Sequence, residues 1–251
     1  MITVNIIGSG NVALHLISVF QQTENVALQQ VFSRKPESIT HLVSSDKITT
    51  NYSDLKLADI TIISVTDDAI SEVSDQLPFE NQLVVHTSGS VGLDALNAKN
   101  RKGVFYPLQT FSKSKAIDFK AVPICLETEN EWDYSILETL GKAISDKVFK
   151  ISSEQRQSLH VAAVFSCNFV NHLYQLGKEI CDENQVPFEI LLPLIQETAD
   201  KIKTLSPLEA QTGPAKRNDQ KTIEKHLSFL EDENKKTIYQ LLTQSIQKHN
   251  G

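Results

Sequence analysis

The chain begins with MITVNIIGSGNVA, residues 1–13, in which an apolar stretch runs into two glycines and then into a helical pattern. The first seven residues are typical of a buried β-strand, and the apolar residues from position 12 onward recur at helical spacing. Gly8, Gly10 and Ala13 occupy the three small-residue positions of the pattern G-x-G-x-x-A. Because this pattern lies between a strand and a helix, it predicts a turn that binds a dinucleotide.

Each small residue of this turn has a physical role. The first glycine allows a tight turn, the second lets the backbone approach a pyrophosphate, and the third small residue lets the helix pack closely on the strand. The start of the helix also offers free N–H groups to phosphate oxygens. We therefore expect a phosphate cradle formed by Gly8, Ser9, Gly10, Asn11 and Val12.

The residues after the second predicted strand indicate whether the dinucleotide is NAD or NADP. Residues 26–32 read as this strand, and Ser33, Arg34 and Lys35 follow it. NAD-preferring proteins usually place an acidic residue here to hold the ribose hydroxyls. A hydroxyl and two cations suit the 2′-phosphate of NADP, which an arginine can bind bidentately. The alternative is a solvated basic turn before a helix over residues 36–44. The pattern favours NADP.

Composition excludes several classes of function. The 251 residues carry a formal net charge of −7, which argues against nucleic acid as the main partner. Neither a signal peptide nor an apolar run of bilayer-spanning length is found in the sequence. Cys125, Cys167 and Cys181 lack metal-binding spacing, so we expect no metal, and buried thiols in a reducing compartment. These features predict a soluble, cytoplasmic protein.

The two parts of the chain differ in periodicity. Up to about residue 151, short apolar runs alternate with helical patterns, which predicts a doubly wound, mainly parallel α/β sheet. Further strands are expected at residues 47–50, 58–65, 82–86, 102–106, 121–127 and 147–150. From Ser152 onward the pattern is helical, with helices expected over residues 153–184, 188–205, 221–230 and 234–248. We therefore predict a dinucleotide-binding domain over residues 1–151 and an all-α domain over residues 152–251.

Ligands of open α/β sheets bind at the carboxyl ends of the strands. One such end carries Val65, Thr66 and Asp67, which we expect beside the cofactor ribose and pyrophosphate. Alternatively, Thr66 and Asp67 only cap the following helix.

Two further strand ends carry polar groups. Ser88 and Gly89 expose a hydroxyl and backbone N–H groups, which suit an anion such as a carboxylate, although a plain turn uses the same residues. Tyr106 and Gln109 either face a pocket or pack in the loop.

The long predicted helix carries His160, Asn168 and Asn171. On a regular helix, His160 and Asn171 lie within roughly 20° of each other. This polar stripe serves either a substrate or facing helices, because buried amides require partners. Arg217, in a later loop, either clamps an anion or belongs to a simple helix connector.

These motifs resemble those of Rossmann-like NADP oxidoreductases that have an α-helical C-terminal domain of unassigned function. The resemblance covers essentially the whole chain and rests on four stretches, residues 8–13, 106–111, 160–171 and 212–219. The domain order is similar to that of β-hydroxyacid dehydrogenases, pyrroline-carboxylate reductase and prephenate dehydrogenase. The resemblance implies a C-terminal domain like that of 6-phosphogluconate dehydrogenase, which commonly dimerises, and an active site between the domains.

The chain departs from these relatives at two positions. β-Hydroxyacid dehydrogenases place a lysine one turn before the helix asparagine, and if Asn168 is that asparagine, the position holds Val164. Prephenate-type enzymes place a histidine before the loop proline, where this chain has Tyr106. His160 is then the remaining acid–base candidate.

Our leading hypothesis is an NADP-dependent oxidoreductase that transfers a hydride to or from a small substrate, with a carboxylate group as one option. His160 and Asn168 are the predicted catalytic residues. Predicted substrate contacts are Ser88, Gly89, Tyr106, Gln109, Asn171 and Arg217. A non-catalytic NADP-binding sensor, without turnover, is the alternative. A methyltransferase that binds S-adenosylmethionine is disfavoured by the glycine spacing.

Overall fold

The computed structural model describes residues 1–250, and its first part is built on one eight-stranded sheet. The strand order is β3-β2-β1-β4-β5-β6-β7-β8. The strands are β1 (Ile2–Ile7), β2 (Val26–Phe32), β3 (Ile48–Thr49), β4 (Ile60–Ile63), β5 (Leu83–His86), β6 (Arg101–Pro107), β7 (Ile124–Thr128) and β8 (Val148–Lys150).

The pairing of the strands confirms a doubly wound, mainly parallel sheet. All neighbouring strands run parallel except β6 and β7, which are antiparallel. Strand β1 lies between β2 and β4, so the direction of winding reverses beside it. In register, Ile7 pairs with Phe32 on one side and with Ile63 on the other. The turns after these three strands therefore meet at one edge, where sheets of this kind bind ligands.

Apolar side chains cover both faces of the sheet. Ile6 and Ile62 belong to a buried cluster on one face, while Ile7 and Ile63, the next residues in each strand, belong to a cluster on the other. Successive residues of a strand point to opposite faces, so continuous apolar runs are buried on both sides. This burial explains why the strands lack the alternation of polar and apolar residues.

Three helices pack with these strands, namely α1 (Asn11–Gln22), α2 (Ile70–Gln76) and α3 (Glu131–Ile144). The prediction of a helix over residues 36–44 is wrong, because only a single 3₁₀ turn forms there, at Pro36–Ser38. Lys35 at its N-cap makes no side-chain capping bond, and Ile39 and Val43 are buried in the core. The β-branched side chains of this segment are poor helix formers, and burial, not helical periodicity, decides their placement.

The second part of the described chain is helical, as expected. Ser152 caps the first helix through a capping box with Gln155. The helices are α4 (Ser153–Ala163), α5 (Val170–Glu183), α6 (Leu192–Lys201), α7 (Pro207–Ala210), α8 (Gln220–Phe229) and α9 (Glu233–Asn250). The chain divides into two compact units, Met1–Cys167 and the residues from Asn168 onward.

Two of the expected helices are less regular than predicted. A π-helical segment, Val164–Phe169, separates α4 from α5. The regular 100° spacing that aligns His160 with Asn171 is therefore interrupted between them. In the helix expected over residues 188–205, a 3₁₀ turn at Phe188–Leu191 precedes α6.

Burial of the thiols is only partly as expected. Cys125 is buried in strand β7, but Cys167 is exposed on the π-helical segment, so the expectation of a buried thiol is wrong there.

Within residues 1–250, no helix combines the length and apolar character needed to cross a bilayer. Nor does this part of the chain bring three His, Cys, Asp or Glu side chains together in a way that could hold a metal ion.

Candidate functional site

The glycine turn after β1 adopts the geometry that its sequence predicts. Gly8 has a φ of +133°, and a Cβ built on it would lie 2.0 Å from the backbone oxygen of Ser64. A Cβ built on Gly10 meets no atom within 4 Å. Ala13 is fully buried between α1 and the sheet. Gly8 is therefore required by the fold, whereas Gly10 leaves open space above the turn.

The first turn of α1 leaves its amide groups available. Gly10 is the N-cap and makes no side-chain capping bond, and no acidic residue lies in the first turn. The amide of Leu14 donates to the oxygen of Gly10 at 3.0 Å, which begins the helical bonding. The N–H groups before it have no partner inside the helix. Together with the positive end of the helix dipole, they suit a phosphate.

A cleft of about 730 Å³ opens along the carboxyl edge of the sheet at this turn. This volume lies within the range of small-molecule sites. Its walls include ten of the eleven predicted cofactor residues, namely Gly8, Ser9, Gly10, Asn11, Val12, Ser33, Arg34, Lys35, Val65 and Thr66. Asp67 does not line it, and its carboxylate instead accepts a 2.6 Å hydrogen bond from the hydroxyl of Ser90.

The basic end of the cleft has two cations, Arg34 and Lys35. The hydroxyl of Ser33 is buried, donates to Ser9 Oγ at 3.0 Å and accepts from the amide of Lys35 at 3.1 Å. These bonds shape the turn after β2. The side chains of Arg34 and Lys35 are exposed at the cleft and form no ion pair or side-chain hydrogen bond within residues 1–250. They are free to bind an anion.

An aromatic wall beside these cations was missed by the sequence analysis. Tyr52 stacks on Phe32 with ring centroids 4.0 Å apart and an interplanar angle of 17°. Burial raises the pKa of Tyr52, and the charge of Arg34 acts against this shift. Tyr52 follows the short strand β3, so the rule that ligands bind at strand ends could have identified it. Other lining residues missed are Thr50, Asn51, Ala69, Glu72, Val73, Gln76 and Thr87.

The two glycines of the turn are expected to respond differently to the same substitution. Gly8→Ala should destabilise the fold by about 3 kcal/mol, because its φ disfavours an L side chain and the methyl group overlaps a backbone oxygen. Gly10→Ala should leave the unfolding midpoint unchanged but weaken dinucleotide binding at least about tenfold, because its methyl group fills the cradle. Urea titration and direct cofactor titration test both. Unchanged binding by Gly10→Ala would contradict this role of the turn.

A second polar cluster follows β5, one strand further along the sheet. The hydroxyl of Ser88 accepts from the amides of Ser90 and Val91 at 3.1 and 3.0 Å. The amide of Ser88 donates to Nδ1 of His86 at 3.1 Å. These bonds close residues 88–91 into a tight loop, so the Ser88 hydroxyl primarily stabilises the loop itself.

His86 supports this loop from within the core. Its side chain is fully buried. Burial, together with the nearby charge of Arg156, lowers the pKa of His86 to about 4. The ring is therefore neutral at pH 7, which leaves Nδ1 free to accept the amide proton of Ser88. The role of His86 is structural.

The buried neutral state of His86 predicts a loss of stability in mild acid. Between pH 6.5 and about pH 4, the unfolded chain binds a proton that the folded chain excludes. The free energy of unfolding should therefore fall by about 3 kcal/mol as the pH drops through this window. Urea unfolding of wild type and His86→Asn at pH 7 and pH 4.5 measures this, since asparagine retains an acceptor but does not titrate. Equal pH dependence of the two proteins would contradict the assignment.

The predicted catalytic residue His160 lies beside this loop together with two predicted substrate contacts, Gly89 and Tyr106. The hydroxyl of Tyr106 and Nδ1 of His160 are 3.1 Å apart. A Cβ on Gly89 would lie 2.5 Å from Nδ1 of His160 and 2.8 Å from Cζ of Tyr106. Burial raises the pKa of Tyr106 to about 12, so the phenol keeps its proton at neutral pH. Strand β6, helix α4 and the loop at Gly89 thus bring a phenol and an imidazole into contact.

The remaining predicted residues are not part of this contact. Gln109 is exposed and accepts a 2.8 Å bond from the amide of Thr110. Asn168, Asn171 and Arg217 belong to the second unit, where their side chains are exposed. Their assignment to the substrate remains a prediction.

Two family models match parts of the chain. Residues 3–89 match a family described as NADP oxidoreductase, coenzyme F420-dependent. Residues 122–246 match a domain of unknown function. No curated protein sequence matches the chain.

Solved structures match over the whole chain. A Bacteroides fragilis protein described as an NADP oxidoreductase is 38% identical, with 98% of each chain covered and a TM-score of 0.89. A Thermotoga maritima protein is 23% identical, with 98% of each chain covered and a TM-score of 0.76. Pyrroline carboxylate reductase of Plasmodium falciparum, solved with NADP bound, is 12% identical over 100% of this chain and 98% of that chain, with a TM-score of 0.60. The last two share the fold.

The similarity to the Bacteroides protein supports the family assignment, because it combines 38% sequence identity with nearly complete coverage of both chains. The family model over residues 3–89 agrees with it and includes the glycine turn, the basic turn after β2 and the loop at Ser88. Together they confirm the resemblance and the NADP cofactor that the sequence predicted. The chain belongs to the Rossmann-like NADP oxidoreductase family, in which an N-terminal dinucleotide-binding fold is followed by a helical C-terminal region.

Proposed function

We propose that the protein transfers a hydride between NADP(H) and a small substrate, with His160 as the acid–base group. The observation that carries this proposal is the cleft at the glycine turn, whose basic end presents Arg34 and Lys35 without ion-pair partners in the described part of the chain. A site for NAD would instead place an acid after β2. NADPH, when bound, supplies the hydride, and the chain supplies orientation and electrostatics.

Different residues of the cleft suit the pyrophosphate, the 2′-phosphate and the adenine of NADP. The open space over Gly10 and the uncapped start of α1 suit the pyrophosphate. Arg34 is suited to a bidentate contact with the 2′-phosphate, and Lys35 adds a second positive charge. The stacked ring of Tyr52 offers an aromatic surface for adenine. Val65 and Thr66 extend the wall from the turn toward Thr87.

His160 is the strongest candidate for proton transfer. It is in contact with the neutral phenol of Tyr106 and lies against Gly89. An imidazole can donate or accept a proton near neutral pH, as reduction of a carbonyl or an imine requires. We assign substrate contacts to Ser88, Gly89 and Tyr106, and retain Gln109, Asn168, Asn171 and Arg217 as further candidates. A carboxylate group on the substrate would suit the cations and amides among them.

We also propose a cytoplasmic homodimer formed through the helical region, residues 152–251. The second unit exposes many large apolar side chains, among them Ile190, 65% exposed, and Leu194, 62% exposed. Exposed apolar surface of this extent is typical of interaction sites. Three cysteines without a disulfide suit a reducing compartment. Light scattering of the purified protein measures the oligomeric state, and a monomer at micromolar concentration would exclude this dimer.

The first experiment is direct titration of the purified protein with NADPH, NADH and S-adenosylmethionine. We expect NADPH to bind at least about tenfold more tightly than NADH, because only NADPH has the 2′-phosphate. Screening carbonyl and imine compounds for NADPH oxidation then identifies the substrate class. Absence of nicotinamide binding would overturn the proposal. Binding without oxidation of the cofactor by any compound would favour an NADP sensor.

A further inference from the structure

The hydrogen bond between Tyr106 and His160 has a preferred direction. The oxygen of Tyr106 has no other hydrogen-bond partner among residues 1–250, and the side chain is only 9% exposed. If the imidazole donated from Nδ1, the phenol hydrogen would have no acceptor among residues 1–250. The arrangement that gives both groups a partner has the phenol donating to Nδ1. A neutral imidazole that accepts at Nδ1 carries its proton on Nε2.

Gly89 holds the two rings in this arrangement. A Cβ at position 89 would lie 2.5 Å from Nδ1 of His160 and 2.8 Å from Cζ of Tyr106. The backbone of the loop therefore lies against both partners of the hydrogen bond. A shift of this loop by even part of an ångström would change the contact between them, because a hydrogen bond weakens steeply with geometry.

Arg156 fastens this loop to the helix that carries His160. Its side chain is fully buried, and Nη1 donates to the backbone oxygens of Ser88 and Val91 at 3.1 and 2.7 Å. Nη2 donates to the carboxylate of Glu127 at 2.9 Å and to the hydroxyl of Ser153 at 3.3 Å. One guanidinium thus joins the loop, strand β7 and the start of α4.

The position of Arg156 on α4 connects this anchor to His160. The two residues are four apart and lie on the same side of the helix, one turn from each other. The face of α4 that carries His160 is therefore held by Arg156 against the loop that carries Gly89. Burying an arginine is costly unless its charge is paired, and here a carboxylate and two carbonyl groups pair Nη1 and Nη2, while the buried Nε has no hydrogen-bond partner among residues 1–250.

We propose that Arg156 is a positioning residue for proton transfer. By joining the loop at residues 88–91 to α4, it keeps Tyr106 hydrogen-bonded to His160 and holds the imidazole in its Nε2–H form. This inference rests on the proposed role of His160, but the ring form itself exists in the protein without any substrate. It can therefore be tested separately from turnover.

The test is Arg156→Lys, examined by the imidazole ¹⁵N chemical shifts of His160 in the full-length protein at neutral pH. In wild type, we expect the shifts of a ring protonated on Nε2, with the Nδ1 signal displaced by the hydrogen bond that it accepts, and this displacement should be lost in Tyr106→Phe. In Arg156→Lys, the displacement of the Nδ1 signal should decrease, because one ammonium nitrogen replaces the two guanidinium nitrogens that reach the loop carbonyl groups and the carboxylate. The dissociation constant for NADPH should stay within about twofold, since Arg156 does not line the cofactor cleft.

Arg101→Lys is the matched control. Arg101 also pairs with a buried carboxylate, Asp133, and donates to the backbone oxygen of Asn81, but at the amino end of β6. It should lower the unfolding midpoint without moving the His160 signals. If Arg156→Lys fails to fold, Glu127→Gln, which removes the charge that holds Nη2 and so loosens the guanidinium that bonds the loop, should move them in the same direction. If the His160 ¹⁵N signals do not move in whichever variant folds, the proposal is overturned. If the wild-type protein does not bind NADPH, the cofactor assignment is overturned instead.

Discussion

Arg34→Asp should weaken NADPH binding by about a hundredfold while leaving NADH binding unchanged or improved. Two charge-assisted hydrogen bonds to a phosphate contribute about 3 kcal/mol in total, which corresponds to this factor. Arg34 makes no competing ion pair within residues 1–250, so its interaction energy is available to the ligand. An aspartate at the end of β2 repels the 2′-phosphate and can accept hydrogen bonds from the ribose hydroxyls of NADH. Isothermal titration with both cofactors measures the change.

Lys56→Asp is the appropriate control for this experiment. It makes the same change of charge on an exposed side chain of the same unit, but Lys56 does not line the cofactor cleft. It should alter NADPH binding only weakly, because exposed charges at a distance are screened by salt. Equal losses of NADPH and NADH affinity in Arg34→Asp would remove the argument for a 2′-phosphate site.

His160→Gln should lower turnover by about 10²- to 10⁴-fold with the substrate that the screen identifies, because a general acid–base group contributes that much. Glutamine keeps the size and hydrogen-bonding ability of the side chain but cannot exchange a proton at neutral pH. NADPH binding should be retained, since His160 does not line the cofactor cleft. Steady-state rates and a cofactor titration on the same sample separate the two effects.

The chain offers a second histidine–tyrosine pair as a control. Nδ1 of His226 lies 2.9 Å from the hydroxyl of Tyr239 in the second unit, with the rings edge to face. His226→Gln should therefore leave turnover unchanged while it breaks a contact of the same kind. If His160→Gln also left turnover unchanged, the acid–base assignment would be wrong.

The cofactor cleft was predictable in large part because its chemistry lies in local sequence. Gly8 and Gly10 act through their own backbone, and Arg34 lies two residues after the end of a strand that is easily located. Tyr52 was missed because it follows a strand of only two residues, and its ring is placed by stacking on Phe32. A stacking partner 20 positions away leaves no local pattern.

The proton-transfer site was predictable only as a set of separate candidates. Gly89, Tyr106 and His160 were each identified, but none of their patterns indicates that they touch. Arg156 was missed, since a cation in the first turns of a helix usually indicates a solvated face. Its burial depends on Glu127, on a distant strand. The polar stripe from His160 to Asn171 assumed regular helix geometry, which the π-helical segment at Val164–Phe169 interrupts.

By itself, the sequence determined the sheet, the glycine turn, the basic turn for NADP and the change to helices near Ser152, because each depends on neighbouring residues. The tertiary structure decided which polar groups are paired and which are free. In the folded chain Arg156 is buried, burial lowers the pKa of His86, and the hydroxyl of Tyr106 is hydrogen-bonded to His160. Burial and pairing depend on residues far apart in the chain, and the free energies of buried charges and hydrogen bonds depend on those partners.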